Sequence, residues 1–171
     1  MNTALQIEWT TAFDKTREIC EEDASFFQYS VREKMMALIY TFLQTLQENE
    51  LQFSRPLQEN RLPFISNRFL QELKSDFNSY TGNLLLEGTN SGEIQARPFI
   101  ANYYQSLLWN AFQSILYFWA NDKSDNKENT DVMVEKTVHF TFDMLAPNPI
   151  DSGIDLAQHF FKLRKADAGT R

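Results

Sequence analysis

From Thr3 to Asp23, Leu5, Trp9, Ala12, Phe13, Thr16, Ile19 and Cys20 recur at spacings of three and four, which lines one face of a helix. Glu21, Glu22 and Asp23 then read as its solvated end. Ser30-Val31-Arg32-Glu33 has the form of a capping box, with the Ser hydroxyl accepting from the Glu33 N–H and the Glu33 carboxylate reaching back. The helix it opens carries Met35, Leu38, Ile39, Phe42, Leu43 and Leu46 and fades near Asn49. Pro56 and Pro63 bracket a connection, because each disfavours a helix running through it.

From about Pro63 a third pattern holds Ile65, Phe69, Leu73, Phe77, Tyr80 and Leu84. Gly82 costs this stretch about 1 kcal/mol relative to Ala, and Ser75 could cap a new start, so two helices or one broken helix are expected. Gly88 to Gly92 reads as a loop. Pro98 opens the most apolar segment, from Phe99 through Leu107, Leu108, Trp109, Phe112, Ile115, Leu116 and Phe118 to Trp119. Its apolar positions cover far more than one stripe, so this helix must be covered on most sides, by its own core or by a partner subunit. Asp122 to Asn129 reads as a loop, Thr130 as a cap, and Val134, Val138, Phe142 and Leu145 as the apolar line of the next helix, ended by Pro147 and Pro149. A last amphipathic helix over 150–165 holds Ile154, Ala157, Phe160, Phe161 and Arg164, with a frayed tail.

The pattern predicts an all-α bundle of about six or seven helices, one domain over 1–171, with 150–165 as an additional C-terminal helix. Composition agrees: 43% of the 171 residues are apolar, including fifteen Phe, while Gly and Pro number five each. That supports a substantial core and disfavours a many-turned β-sandwich. Net charge is −7, a poor match to a phosphate backbone. Lys162, Arg164 and Lys165 are the densest basic group, and they suit the last turn of a helix, where cations meet unpaired carbonyls.

Candidate chemistry is sparse. Glu135 and His139 lie four apart and His159 stands alone, too few for a closed zinc site. A surface ion pair or a helix-dipole role is the expectation for His139. Cys20 lies on the apolar stripe of the first helix and reads as core. A single Cys forms no intrachain disulfide and suits a reducing compartment. Charged residues in the first twenty positions do not fit a signal peptide, and no apolar run approaches a membrane span. A soluble cytoplasmic protein without cofactor, metal or enzymatic activity is expected.

Glu87-Gly88, Gly92-Glu93-Ile94 and Pro98, followed by Leu107-Leu108-Trp109-Asn110-Ala111-Phe112 and Phe118-Trp119, resemble the ligand-binding half of TetR-type repressors. Trp119, Asp122-Lys123-Ser124, Thr130, Glu135-Lys136, Phe142 and Leu145 look like the paired dimerisation helices of that family, and Ser30 to Lys34 like the start of its regulatory domain. The resemblance implies a homodimer with Trp109, Phe112, Leu116, Val134, Val138 and Phe142 at its apolar centre. It also implies a pocket for a hydrophobic small molecule walled by Trp9, Phe13, Met35, Phe42, Phe69 and Phe77, with Asn102, Tyr103 and Tyr104 as polar handles. A full repressor carries roughly another 45 residues upstream, with a helix-turn-helix. The start of this chain resembles the helix that links head to body, so the resemblance implies no direct nucleic-acid binding by this chain. The Trp-x-x-Asp-x-Ser stretch is also similar to a lipid-binding accessory family of ubiquinone biosynthesis, which implies an isoprenoid or lipid carrier as the alternative.

Overall fold

A computed structural model describes residues 2–59, 67–97 and 101–147. Those residues hold six α-helices and no strand: α1 (Asn2–Glu22), α2 (Val31–Gln47), α3 (Glu50–Glu59), α4 (Gln71–Ser91), α5 (Tyr104–Asn121) and α6 (Glu128–Leu145). The helix expected over 150–165 and the basic residues near it lie outside the described residues. The all-α expectation holds.

Each helix forms where its apolar residues can share one core. α1 packs on α2 and α4, α5 on α3, α4 and α6, and α2 also on α6. The capping box is present: Ser30 Oγ accepts from Glu33 N at 3.2 Å, and Glu33 Oε2 accepts from Ser30 N at 2.8 Å. Glu93 adds a third acceptor to that helix start, receiving the Val31 N–H at 3.1 Å.

Three expectations are corrected. Pro56 lies inside α3 rather than in a connection. Burial of Phe53 against Trp9 of α1, with Leu57 buried beside α5, outweighs the missing N–H. α4 runs unbroken through Gly82, where a Cβ would stand 3.0 Å from Gln105 Nε2. The missing side chain makes room for Gln105 to donate to Asn78 O at 3.1 Å, so contact with α5 offsets the propensity cost. α4 also continues through Gly88 to Ser91, and Gly92, at φ 83°, ends it in the left-handed conformation that favours glycine. Gly88 is needed there because a Cβ would meet Ile94 at 2.6 Å and Val31 at 3.0 Å.

Candidate functional site

The centre of the bundle is aromatic and closed. Phe77 and Phe112 stack at 4.5 Å with their planes 8° apart, Trp9 meets Phe53 edge-on at 4.9 Å, and Phe13 meets Phe42 edge-on at 5.7 Å. Such pairs prefer offset-stacked or edge-to-face geometry. Trp9, Phe13, Met35, Phe42, Phe69 and Phe77, named above as pocket walls, are all buried in this packed centre. Tyr104 is buried too. Its hydroxyl donates to Gln95 O at 2.9 Å and accepts from Arg97 Nη1 at 3.1 Å, which ties the start of α5 to the preceding loop. Tyr103 points to solvent, and the Asn102 side chain lies outside the described residues.

Two clefts among the described residues lie away from this centre. A cleft of about 370 Å³ sits between α1, the 3₁₀ turn Phe26–Gln28, α2 and α4. Phe26, Tyr80 and Leu84 give it apolar walls, Phe27 stands exposed at its edge, and Arg17, Glu21, Lys34, Ser79, Asn83 and Glu87 supply polar groups. Lys34 is the deepest of the charges, with a side chain only 10% exposed, and donates to Glu87 Oε1 at 2.5 Å. Burial pushes the Tyr80 phenol up, reinforced by Cys20, Glu21 and Glu87 nearby. A second cleft, of about 500 Å³, lies between α3 and the α5–α6 turn, lined by Glu50, Gln58, Asn121, Asp122, Lys123 and Lys127 among others. One of its two lysines is already engaged: Lys127 Nζ meets Glu50 at 2.7 Å and donates to Asp122 O and Trp119 O.

Helices α5 and α6 have apolar residues on two sides. Trp109, Phe112, Leu116, Val134, Val138 and Phe142 are at most 5% exposed within the single chain. Rings and aliphatic side chains of the same chain cover them, so within one subunit they belong to the core. Phe112, for instance, lies against Phe42, Phe77 and Trp109. Solvent meets a different stripe. From Tyr103, just before α5, the α5 residues Leu107, Ala111, Ser114 and Phe118 follow at four, four, three and four. On α6, Met133, Thr137, Phe140 and Met144 recur at four, three and four. Tyr103, Phe118, Phe140 and Met144 are 66%, 38%, 66% and 47% exposed.

These two stripes adjoin. α5 and α6 pack together through a short turn and run antiparallel, and the Gln95 N–H donating to Leu145 O at 2.8 Å brings the end of α6 back to the start of α5. The opposite edge of α6 serves α2, where Arg32 donates to His139 Nδ1 at 3.0 Å and to Asp143 at 2.6 Å. His139 thus pairs across helices with an arginine, not along α6 with Glu135.

The α5–α6 turn is a capping device. Asp122 Oδ1 accepts from Ser124 N and Oγ at 2.9 and 2.7 Å, and Oδ2 accepts from Thr130 N and Oγ1 at the same distances. Ser124 Oγ in turn accepts from Asn129 N at 3.1 Å. α6 begins at Glu128, two residues before the expected cap Thr130, because these acceptors reach its first-turn N–H groups from outside the helix. Burial opposes ionisation of Asp122, but the four hydrogen bonds from Thr130 and Ser124 outweigh it and hold the carboxyl well below the usual range. The Trp-x-x-Asp-x-Ser stretch is thus accounted for by local structure.

Lys34 and Glu87 were not singled out by sequence reasoning. The signal for Lys34 was present: it lies three after Val31 and four before Leu38, so it falls within the buried stripe of α2. Its partner on α4 is visible only once the two helices are packed.

The described residues thus form a six-helix body with a packed aromatic centre, a charged side cleft and exposed apolar residues on its last two described helices. Residues 34–160 match the family described as Tetracyclin repressor-like, C-terminal domain, and the chain belongs to that family. No curated protein matches the chain, and no solved structure does. Among the described residues no helix is long and apolar enough to cross a membrane.

Proposed function

We propose that this chain is a sensor domain that binds a hydrophobic small molecule and pairs with a second copy of itself through the outer face of α5 and α6. Membership of the family supports the general reading of a ligand-binding and dimerisation domain. The observation that carries the proposal is the stripe of exposed Tyr103, Phe118, Phe140 and Met144, with partly buried Leu107 among them. Contiguous apolar patches of this kind are uncommon on monomers and mark interaction surfaces. Two copies of an antiparallel helix pair can close such a stripe into a four-helix bundle about a two-fold axis.

The ligand, in this reading, enters the α1–α2–α4 cleft. The aromatic centre is filled by its own rings, whereas the cleft combines apolar walls with a few polar groups, as small-molecule sites do. A ligand can change the pairing of two subunits only by binding one arrangement more tightly than another. α4 touches both the cleft and α5, so it offers a physical route.

Light scattering on the purified chain tests the pairing. A mass of about twice 20.0 kDa at micromolar concentration is expected, falling toward 20.0 kDa in the Phe140→Lys variant. A monomer in both proteins would overturn it.

A further inference from the structure

We propose that the ligand of the α1–α2–α4 cleft is an amphipathic anion, a flat apolar body bearing one carboxylate-type head, and that Lys34 receives the head. This rests on the reading of that cleft as the ligand site.

The argument starts with where the charges sit. Arg17, Lys34, Glu21 and Glu87 line the cleft, and their formal charges cancel. Their depths do not. The Lys34 side chain is 10% exposed, against 48% for Glu87, and Glu21 is exposed. The innermost charge is therefore positive, with the carboxylates nearer water.

Lys34 also has donors to spare. An ammonium carries three N–H groups, and Glu87 Oε1 takes one of them at 2.5 Å. No other hydrogen bond to Lys34 Nζ is made among the described residues. The remaining N–H groups face the cleft, so an entering anion can form a charge-assisted hydrogen bond that a neutral ligand cannot match. A cationic ligand would instead stand beside the ammonium, which disfavours it. The Tyr80 hydroxyl, also without a hydrogen-bond partner among the described residues, supplies a further donor to the same cleft.

The walls specify the rest of the molecule. Phe26 and Leu84 are buried, Tyr80 is partly buried, and Phe27 is 65% exposed. Ring faces of this kind favour a flat apolar body. The volume of about 370 Å³ falls within the usual span of small-molecule sites. Because the Lys34–Glu87 pair joins α2 to α4, an anion that takes Lys34 from Glu87 also loosens that joint.

The test uses three probes of one shape and different charge: naphthalene-2-carboxylate, 2-naphthylmethanol and 2-naphthylmethylammonium. Each is titrated into the full chain at pH 7 and followed by amide chemical shifts of residues 26–34 and 79–87. The carboxylate should bind at least about tenfold more tightly than the alcohol, the gain of one charge-assisted hydrogen bond, and the ammonium most weakly. Lys34→Met should erase that preference and Lys34→Arg keep it, while Glu87→Gln, which removes the competing carboxylate, should tighten carboxylate binding. Equal binding of carboxylate and alcohol within the cleft would overturn the assignment of the ligand class and leave the cleft standing as the site. A preference that survives Lys34→Met would overturn the role of Lys34. If none of the probes moves these amides, the cleft reading beneath the proposal fails as well.

Discussion

The inner and outer faces of α5 and α6 carry the same kinds of residue in different circumstances. Phe112 is 1% exposed and lies within 6 Å of three other rings, while Phe140, on the neighbouring helix, is 66% exposed. The inner face is part of what makes the chain fold, because its rings are removed from water within one subunit. The outer face gains nothing from folding alone. It stays wet until another surface covers it. The two faces should therefore separate stability from assembly, and substitutions on each should leave the other property nearly intact.

Phe112→Ala is the strongest test of the inner face. It leaves a cavity beside Phe77 and Phe42, and a loss of about 3–5 kcal/mol in unfolding free energy is expected by denaturant titration of dilute protein. A loss below about 1 kcal/mol would break the distinction between the faces. On the outer face, Phe140→Lys should weaken pairing by about 2 kcal/mol or more, as loss of a buried aromatic anchor does. Sedimentation over a concentration series measures this. The unfolding free energy of the dilute monomer should stay within about 0.5 kcal/mol of the parent, as for an ordinary surface substitution.

Asp122 fixes how the two helices meet, so it bears on both faces at once. Asp122→Ala should cost about 0.5–2 kcal/mol, the usual cost of a lost N-terminal cap. The parent should also show an acid-dependent component that the variant lacks. The Asp122 carboxyl is held below its unfolded value, so its contribution is fully present above about pH 4 and is lost as pH falls through the lower folded value. Acid titration of the unfolding free energy should thus fall less steeply in Asp122→Ala than in the parent. Equal slopes would mean that the four hydrogen bonds do not favour the ionised form.

Local patterns were legible where one helix decides the outcome. The Ser30–Glu33 box and the buried line of Val134, Val138, Phe142 and Leu145 followed from spacing alone. Continuity was less legible. Pro56 and Gly82 read as breaks by propensity, but each sits where contact with α5 compensates, and that contact is between helices far apart in sequence. For the candidate site, the aromatics of α1, α2 and α4 expected around a pocket lie packed against one another in the centre. The width of the apolar surface of α5 called for cover on most sides, by its own core or by core and a partner together. It could not say which residues met which covering, because every apolar position contributes to the pattern in the same way. Only the direction of α3, α4 and α6 around α5 resolves that, leaving Phe118 exposed and Leu107 and Ala111 partly buried.

Val132 gives the smallest expected effect and the sharpest control. It is 48% exposed, much like Met144, but stands roughly 100° around α6 from the stripe of Met133, Thr137, Phe140 and Met144. If exposure of an apolar side chain were enough to mark the pairing surface, Val132→Ser would weaken the dimer much as a change at Met144 does. If the stripe is the surface, Val132→Ser should leave both the dissociation constant and the unfolding free energy within about 0.5 kcal/mol of the parent, while Met144→Ser weakens pairing. Sedimentation of the two variants side by side decides between them. A clear loss of pairing from Val132→Ser alone would move the contact around α6 toward α2, against the Arg32–His139 and Arg32–Asp143 ties that already occupy that edge.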